Sequence, residues 1–271
     1  MIDWLDFVCV GPKRCATTWL DHHLRNIKPI CLPKNVKETF FFDQRYSRGT
    51  RWYRDHFRHC DSTSLKGEIG PSYFHDEKAA HRLGHISALK VVSIIIRNPV
   101  DRALSLHRHH YAKGRVSNSL QEAVEQKPEI LEGGRYSKYI PLWASIVGND
   151  VVQLTSYNTI AAHPQRALVQ FLRQLGVDSP TMNRDLSERI NEAPGSQFRS
   201  LHYWATQMSR VFRSAGLDAV VEFAKRWPVK SFLESGAQLD NRTPATVDWL
   251  RQYYSNDLRY LQEIGFEVDP L

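Results

Sequence analysis

Residues 7–27 constrain the fold more than any other stretch of the chain. Phe7-Val8-Cys9-Val10 is a short apolar run that reads as a buried strand. Leu20, Leu24 and Ile27 then recur on one face of an amphipathic pattern. Between them lies Gly11-Pro12-Lys13-Arg14-Cys15-Ala16-Thr17-Thr18, so the segment is strand, tight loop, helix. Two hydroxyl residues stand where the helix begins. Free backbone N–H groups and the positive end of the helix dipole converge at such a point, which suits a phosphate-like anion. Lys13 and Arg14 add fixed positive charge, and Thr17 and Thr18 add donors.

The rest of the chain extends this unit. Val91-Val92-Ser93-Ile94-Ile95-Ile96 is a nearly continuous β-branched run, as expected of a parallel strand covered on both faces. Asn98 is placed to cap a following helix, with Pro99 at its first position, Asp101 in its first turn and an end near Lys113. Ile30 to Pro33 reads as an edge segment, Arg45 to Cys60 as a surface helix with Trp52, Tyr53 and Phe57 on its core side, and Gly67 to Phe74 as a strand end and turn. Helices are expected from Tyr136 to Val147, from Pro164 to Leu175 and from about Ala245 to Ile264, with a strand at Val151 to Leu154. Residues 178–271 read as mainly helical. Strands alternating with helices indicate an α/β chain with a mostly parallel central sheet flanked by helices in three layers, ending in a helical part, and one domain over 1–271.

Composition narrows the partners. A formal charge of +7 and a pI of about 9.2 suit an anionic cofactor or substrate, with nucleic acid as a competing explanation. No apolar run approaches ~18 residues, so no membrane span is expected. Met1 to Asp6 lacks the charged and apolar regions of a signal peptide. Cys9, Cys15, Cys31 and Cys60 form no C-x-x-C pair, and a reduced cytoplasmic protein is the simplest expectation.

The first loop fails the G-x-x-x-x-G-K-[ST] pattern of nucleotide triphosphatases twice: Ala16 stands for the second Gly, and Thr17 for the Lys. It resembles instead the 5′-phosphosulfate loop of sulfotransferases that use PAPS (3′-phosphoadenosine 5′-phosphosulfate), usually G-x-x-[KR]-x-G-T-T. The family's basic residue then falls on Arg14. The departure at Ala16 matters if that position needs a positive φ. Ile96-Arg97-Asn98-Pro99-Val100-Asp101-Arg102-Ala103-Leu104-Ser105 resembles the family's 3′-phosphate segment, R-[ND]-P-x-x-R-x-x-S. An arginine fork at a strand tip with a hydroxyl on the next helix is a good holder for a phosphate monoester.

The resemblance implies roles for further residues. Lys13, Arg14, Cys15, Ala16, Thr17, Thr18, Trp19, Arg97, Ser105 and Tyr157 would hold the cofactor, PAPS or its product PAP. Lys37-Glu38-Thr39-Phe40-Phe41-Phe42 resembles the K-E-x-x-F-F segment of the carbohydrate and tyrosylprotein branches, where the glutamate is the general base. That role falls on Glu38, with His107 in reserve because other branches use a histidine. Glu68, Tyr73 and Tyr136 match segments that line the acceptor side, with Lys37 beside them. Ile69 replaces the Lys common in heparan-modifying members, and Tyr157-Asn158 lacks the acids of the usual Y-E-D. No closing loop is recognisable at Glu234 to Arg242.

The implied reaction moves a sulfuryl group from PAPS to a hydroxyl, less often an amine, on a small-molecule, carbohydrate or lipid acceptor. No metal is required, because the transferring group carries one charge. A P-loop kinase and a basic nucleic-acid-binding protein are the competing readings. The first is opposed by the missing lysine, and the second rests on charge and the basic-aromatic stretch from Arg45 to Arg58.

Overall fold

A computed structural model describes residues 2–177 and 239–267. Its centre is a five-stranded, all-parallel sheet in the order β2-β3-β1-β4-β5. The strands are β1 (Phe7–Gly11), β2 (Ile30–Cys31), β3 (Leu65–Ile69), β4 (Val91–Ile96) and β5 (Val152–Ser156). Every residue of β1 and β4 is buried, as the apolar runs require of strands covered on both faces. Alternation divides them between two cores. Val8, Val10, Val92, Ile94 and Ile96 face one, with Phe41, Tyr53, Tyr73 and Trp143. Phe7, Cys9, Val91 and Ile95 face the other, with Trp19, Leu20, Leu168 and Phe171.

Helices form the outer layers. In chain order they are α1 (Thr17–Leu24), α2 (Gly49–Asp55), α3 (Glu77–Gly84), α4 (Pro99–Ala112), α5 (Leu120–Gln126), α6 (Glu129–Glu132), α7 (Tyr136–Val147), α8 (Tyr157–Ala162), α9 (Pro164–Gln174), α10 (Pro244–Tyr253) and α11 (Ser255–Glu263). The cap of α4 is the expected one: the Asn98 side chain accepts from the amides of Val100 and Asp101. The region expected as one helix from Arg45 to Cys60 is shorter, with a 3-10 turn at Tyr46–Arg48 leading into α2.

The last expected helix is two helices broken at Tyr254. The break has a packing cause. Tyr254 is buried and donates to the Leu131 carbonyl, while Leu250 packs with α4 and α6 residues. Leu261 belongs instead to the core shared with α7, so a straight helix could not place both ends. Asp257 ties α11 to α7 by accepting from the amide and hydroxyl of Ser137. Most of the expected helical region after Asp178 lies outside the described residues.

The expectation of four free cysteines does not hold. Cys31 and Cys60 form a disulfide, whereas Cys9 and Cys15 are buried and free. Sequence spacing gave no sign of this pair because the partners meet only when β2 is placed at the sheet edge. Among the described residues no helix is long and apolar enough to cross a membrane.

Candidate active site

The loop after β1 is a cradle at the carboxyl end of the central strand. Gly11 has φ +100°, and a Cβ there would lie 2.7 Å from the Pro71 Cα, so both conformation and space call for glycine. Arg14 (φ 70°) and Ala16 (φ 56°) are also left-handed. Ala16 therefore keeps the conformation that glycine would adopt freely, at a cost of about 1–2 kcal/mol. It is also the N-cap of α1 and supplies no side-chain bond to the first-turn amides. Ala16 thus puts no side chain between the amides of Thr17 and Thr18 and an anion at the positive end of the helix dipole.

Three arginines gather beside this cradle. Arg14 Nε donates to Ser105 Oγ at 3.0 Å, and Arg97 Nη1 donates to the Arg14 carbonyl at 2.8 Å. The Arg97 guanidinium also lies over the Tyr157 ring, 4.4 Å from its centroid. Its backbone is braced by Tyr136, whose hydroxyl accepts from the Arg97 amide. Arg108, one turn beyond Ser105 on α4, completes the group. Burial and then the charge of Arg97 lower the Arg14 pKa to about 10, and burial followed by Arg97 and Arg242 lowers that of Arg108. Arg14 and Arg108 remain cations at neutral pH. Their mutual repulsion is relieved when an anion enters between them. Arg108 was not singled out from the sequence, although its i+3 spacing from Ser105 puts it on the same helical face.

The segment bearing Glu38 meets the same loop through Lys37. Lys37 Nζ lies 3.0 Å from Thr18 Oγ1, 3.3 Å from Thr17 Oγ1 and 3.4 Å from Glu38 Oε1. Two supports fix this segment, and neither stood out in the sequence. Arg25 pairs with Asp21 through two hydrogen bonds of 2.9 and 3.0 Å, and its remaining donors reach the carbonyls of Pro33 and Val36. On the other side of Glu38, the Thr39 amide and hydroxyl both donate to Glu68 Oε1.

Several residues expected at the site are instead its supports. Glu68 is fully buried and also accepts from the hydroxyls of Tyr53 and Tyr73. Burial raises its pKa, opposed by these donors. Glu68 and Tyr73 thus hold the backbone that carries Glu38 rather than face an acceptor. Tyr136 is likewise buried, between Arg97 and Cys15. Trp19 and Cys15 point their side chains into the core, leaving only backbone to a ligand. His107 is completely buried: Nε2 lies 3.0 Å from the Ser117 carbonyl, and Nδ1 3.0 Å from the Asn241 side-chain amide. Both ring nitrogens are engaged, so the reserve base is a structural histidine. Asn241, formally the start of a glycosylation sequon, is buried in the same contact.

Lys13 turns away from the arginine group. Its Nζ lies 2.6 Å from Glu129 Oε2, and the other oxygen of Glu129 is 2.9 Å from His110 Nε2. Burial alone would raise the Glu129 carboxyl, but His110 and the Lys13 ammonium outweigh it and hold it well below the usual carboxylate range. Glu129 opens α6, a helix the sequence pattern did not mark, which is why this partner of Lys13 went unseen. The cradle's free charge therefore rests on Arg14, at the position where the family's basic residue was expected.

Comparison with known proteins bears on family and fold. Residues 5–215 match the sequence profile of the family described as "Sulfotransferase domain". A human bifunctional heparan sulfate N-deacetylase/N-sulfotransferase is 23% identical over 211 residues, 70% of this chain. The chain spans 24% of that relative's length. A sulfotransferase from Alicyclobacillus acidocaldarius has a TM-score of 0.60 at 21% identity, covering 80% of this chain and 95% of its own. A mouse sulfotransferase solved with PAP has a TM-score of 0.52 at 14% identity, covering 97% of this chain and 90% of its own. With residues 5–215 matching the family profile and a parallel sheet at its centre, this chain belongs to the sulfotransferase domain family.

Proposed function

We propose that this enzyme takes its sulfuryl group from PAPS and delivers it to an acceptor hydroxyl, less often an amine, with Glu38 as the general base. The observation that carries the reading is the group of Arg14, Arg97 and Arg108 around Ser105, in which Arg14 Nε donates to Ser105 Oγ and Arg97 Nη1 to the Arg14 carbonyl. This donor set fits a nucleotide phosphate and sulfate: guanidinium forks, a hydroxyl and uncapped helix amides. PAPS, when bound, supplies the activated sulfuryl group and leaves as adenosine 3′,5′-bisphosphate.

The chain's own residues account for the rest. Arg97 and Ser105 hold the 3′-phosphate, with Tyr157 supporting Arg97 from the side. Arg14 and the loop amides sit where charge develops on departing oxygens, an electrostatic role. Lys37, between the Thr17 and Thr18 hydroxyls and Glu38, positions the carboxylate at the same loop. Glu38 removes the acceptor's proton as attack proceeds. The kinase reading lacks its lysine, since position 17 is a threonine at the start of α1.

A carbohydrate acceptor is supported by the heparan sulfate relative, although position 69, a lysine in many heparan-modifying members, is here a core isoleucine with no charge to offer an acidic polymer. Incubation with labelled PAPS and a panel of sugars, lipids and small hydroxyl compounds, read by mass spectrometry, tests the reading. A mass gain of one sulfuryl group on an acceptor is expected. PAPS turnover absent with every acceptor, together with no PAP binding, would overturn it.

A further inference from the structure

A second cluster lies at the sheet edge, outside the residues that hold donor and base. Cys31 ends β2 and is set by parallel pairing with β3, in the register Ile30 with Leu65 and Cys31 with Lys66. His59 and Cys60 follow α2. They are brought to Cys31 because Phe57 is anchored in the core and the Cys60 amide donates back to its carbonyl. A second tether joins the same two segments: the Lys34 amide donates to the His56 carbonyl at 2.9 Å. One ligand atom from each of Cys31, His59 and Cys60 lies within 4.8 Å of the others, and His59 Nε2 is 3.4 Å from Cys31 Sγ. His59 is exposed, so solvent reaches the cluster.

We propose that, in the reduced protein, Cys31, Cys60 and His59 form a binding site for a thiophilic divalent cation of the zinc class. The disulfide and the metal-bound dithiolate are then two alternative states of one cluster. The spacing suits both. The Cα atoms of Cys31 and Cys60 are 5.9 Å apart, a distance that bridges a disulfide. Two sulfurs and an imidazole nitrogen on one tetrahedral zinc stand about 3.5–3.8 Å from each other, given bonds of about 2.3 Å to sulfur and 2.0 Å to nitrogen. His59 Nε2 already sits at 3.4 Å from one sulfur, so what remains is separation of the two sulfurs after reduction. Thiolate and imidazole donors select zinc-like ions over calcium or magnesium.

The chemistry balances with an external two-electron reductant. A phosphine takes the disulfide to two thiols, with water supplying the two protons and the oxygen that leaves as phosphine oxide. Cation binding then displaces both thiol protons, neutral His59 donates a lone pair, and water completes the tetrahedron. The loop closed by the cluster contains Lys37 and Glu38, so its chemical state bears on the segment that carries the base.

The test uses full-length protein reduced with a phosphine, desalted without oxygen and titrated with cobalt(II), then zinc(II). One equivalent of cobalt is expected, with a thiolate-to-cobalt charge-transfer band that zinc abolishes. Cys31→Ser should lose the band. His59→Ala, at an exposed position that leaves the fold intact, should weaken binding by at least roughly tenfold. The unreduced protein should show no band. A silent reduced wild type, an unchanged His59→Ala affinity, or a band that persists in Cys31→Ser or in unreduced protein would each overturn the proposal. Circular dichroism runs in parallel. If reduction unfolds the chain, zinc should restore the wild-type signal but not that of His59→Ala, and a failure of zinc to restore it would equally overturn the site.

Discussion

Arg14 Nε and Ser105 Oγ lie 3.0 Å apart, joining the loop after β1 to helix α4 across 91 positions of sequence. This contact places the residue expected at the departing sulfuryl group next to the one expected at the 3′-phosphate. Arg97 closes the arrangement by donating to the Arg14 carbonyl. One bound nucleotide would thus engage the tips of β1 and β4 and the first turns of two helices, where ligands enter open parallel sheets.

Arg97→Ala should weaken PAP binding by roughly 1.5–3 kcal/mol, the scale of a hydrogen bond to a charged group. Ser105→Ala should cost less, since it removes one neutral donor. Titration calorimetry checks both, and unchanged affinity in Arg97→Ala would remove the 3′-phosphate from this corner.

Glu38→Gln should lower turnover by about 10²–10⁴-fold while PAP affinity stays near wild type. His107→Ala supplies the contrast. Its ring bridges the Ser117 carbonyl and Asn241 inside the fold, so the loss should fall on stability, by about 1–3 kcal/mol for the polar groups left unpaired. The protein that remains folded should keep most of its activity. Steady-state kinetics beside chemical denaturation separates the two, and near-normal turnover in folded Glu38→Gln would refute the base assignment.

Ala16→Gly should be neutral or stabilising. Alanine at φ 56° carries a left-handed penalty of about 1–2 kcal/mol, partly offset by the extra freedom glycine brings to the unfolded chain, about 0.5–1 kcal/mol. Ala16→Val should be clearly destabilising, because β-branching is least compatible with that region. Denaturant midpoints decide it, and a Gly variant less stable than wild type would contradict the backbone argument.

Glu129 links pH to stability. Its folded pKa is depressed by His110 and Lys13, so its contribution is fully present above the unfolded value of about 4.3 and is lost as pH falls below it. The stability gap between wild type and Glu129→Gln should be constant near neutrality and shrink on acidification from about pH 5 downward. Denaturation across pH measures this, and a gap that widens in acid would reverse the sign.

Arg25→Ala should reduce kcat more than it raises the KM for PAPS, because Arg25 holds the Pro33 and Val36 carbonyls just before Lys37 and Glu38. Arg25→Lys should recover little, since a single ammonium cannot reproduce the fork that serves both Asp21 and two carbonyls. Equal losses in kcat and PAP affinity would point to general unfolding instead.

The sequence by itself determined the parallel α/β core, because a nearly continuous β-branched run such as Val91 to Ile96, broken only by Ser93, calls for burial on both faces. It also determined the Asn98 cap, and it marked Gly11 to Thr18 and Arg97 to Ser105 as candidate anion-binding segments because their chemistry lies in contiguous residues. Tertiary structure decided which expected residues face the site. Glu68, Tyr73 and Tyr136 carry functional groups that suit an acceptor pocket, yet packing turns them inward to hold the Thr39 backbone and the Arg97 amide. His107 was lost to the site in the same way, through Asn241, 134 positions away. The Glu129 partner of Lys13, the Cys31–Cys60 pair and the bend at Tyr254 share that origin. Local spacing reports what a residue can do. Which partner it meets depends on contacts between segments far apart in the chain, and those are set only when the sheet order brings the segments together.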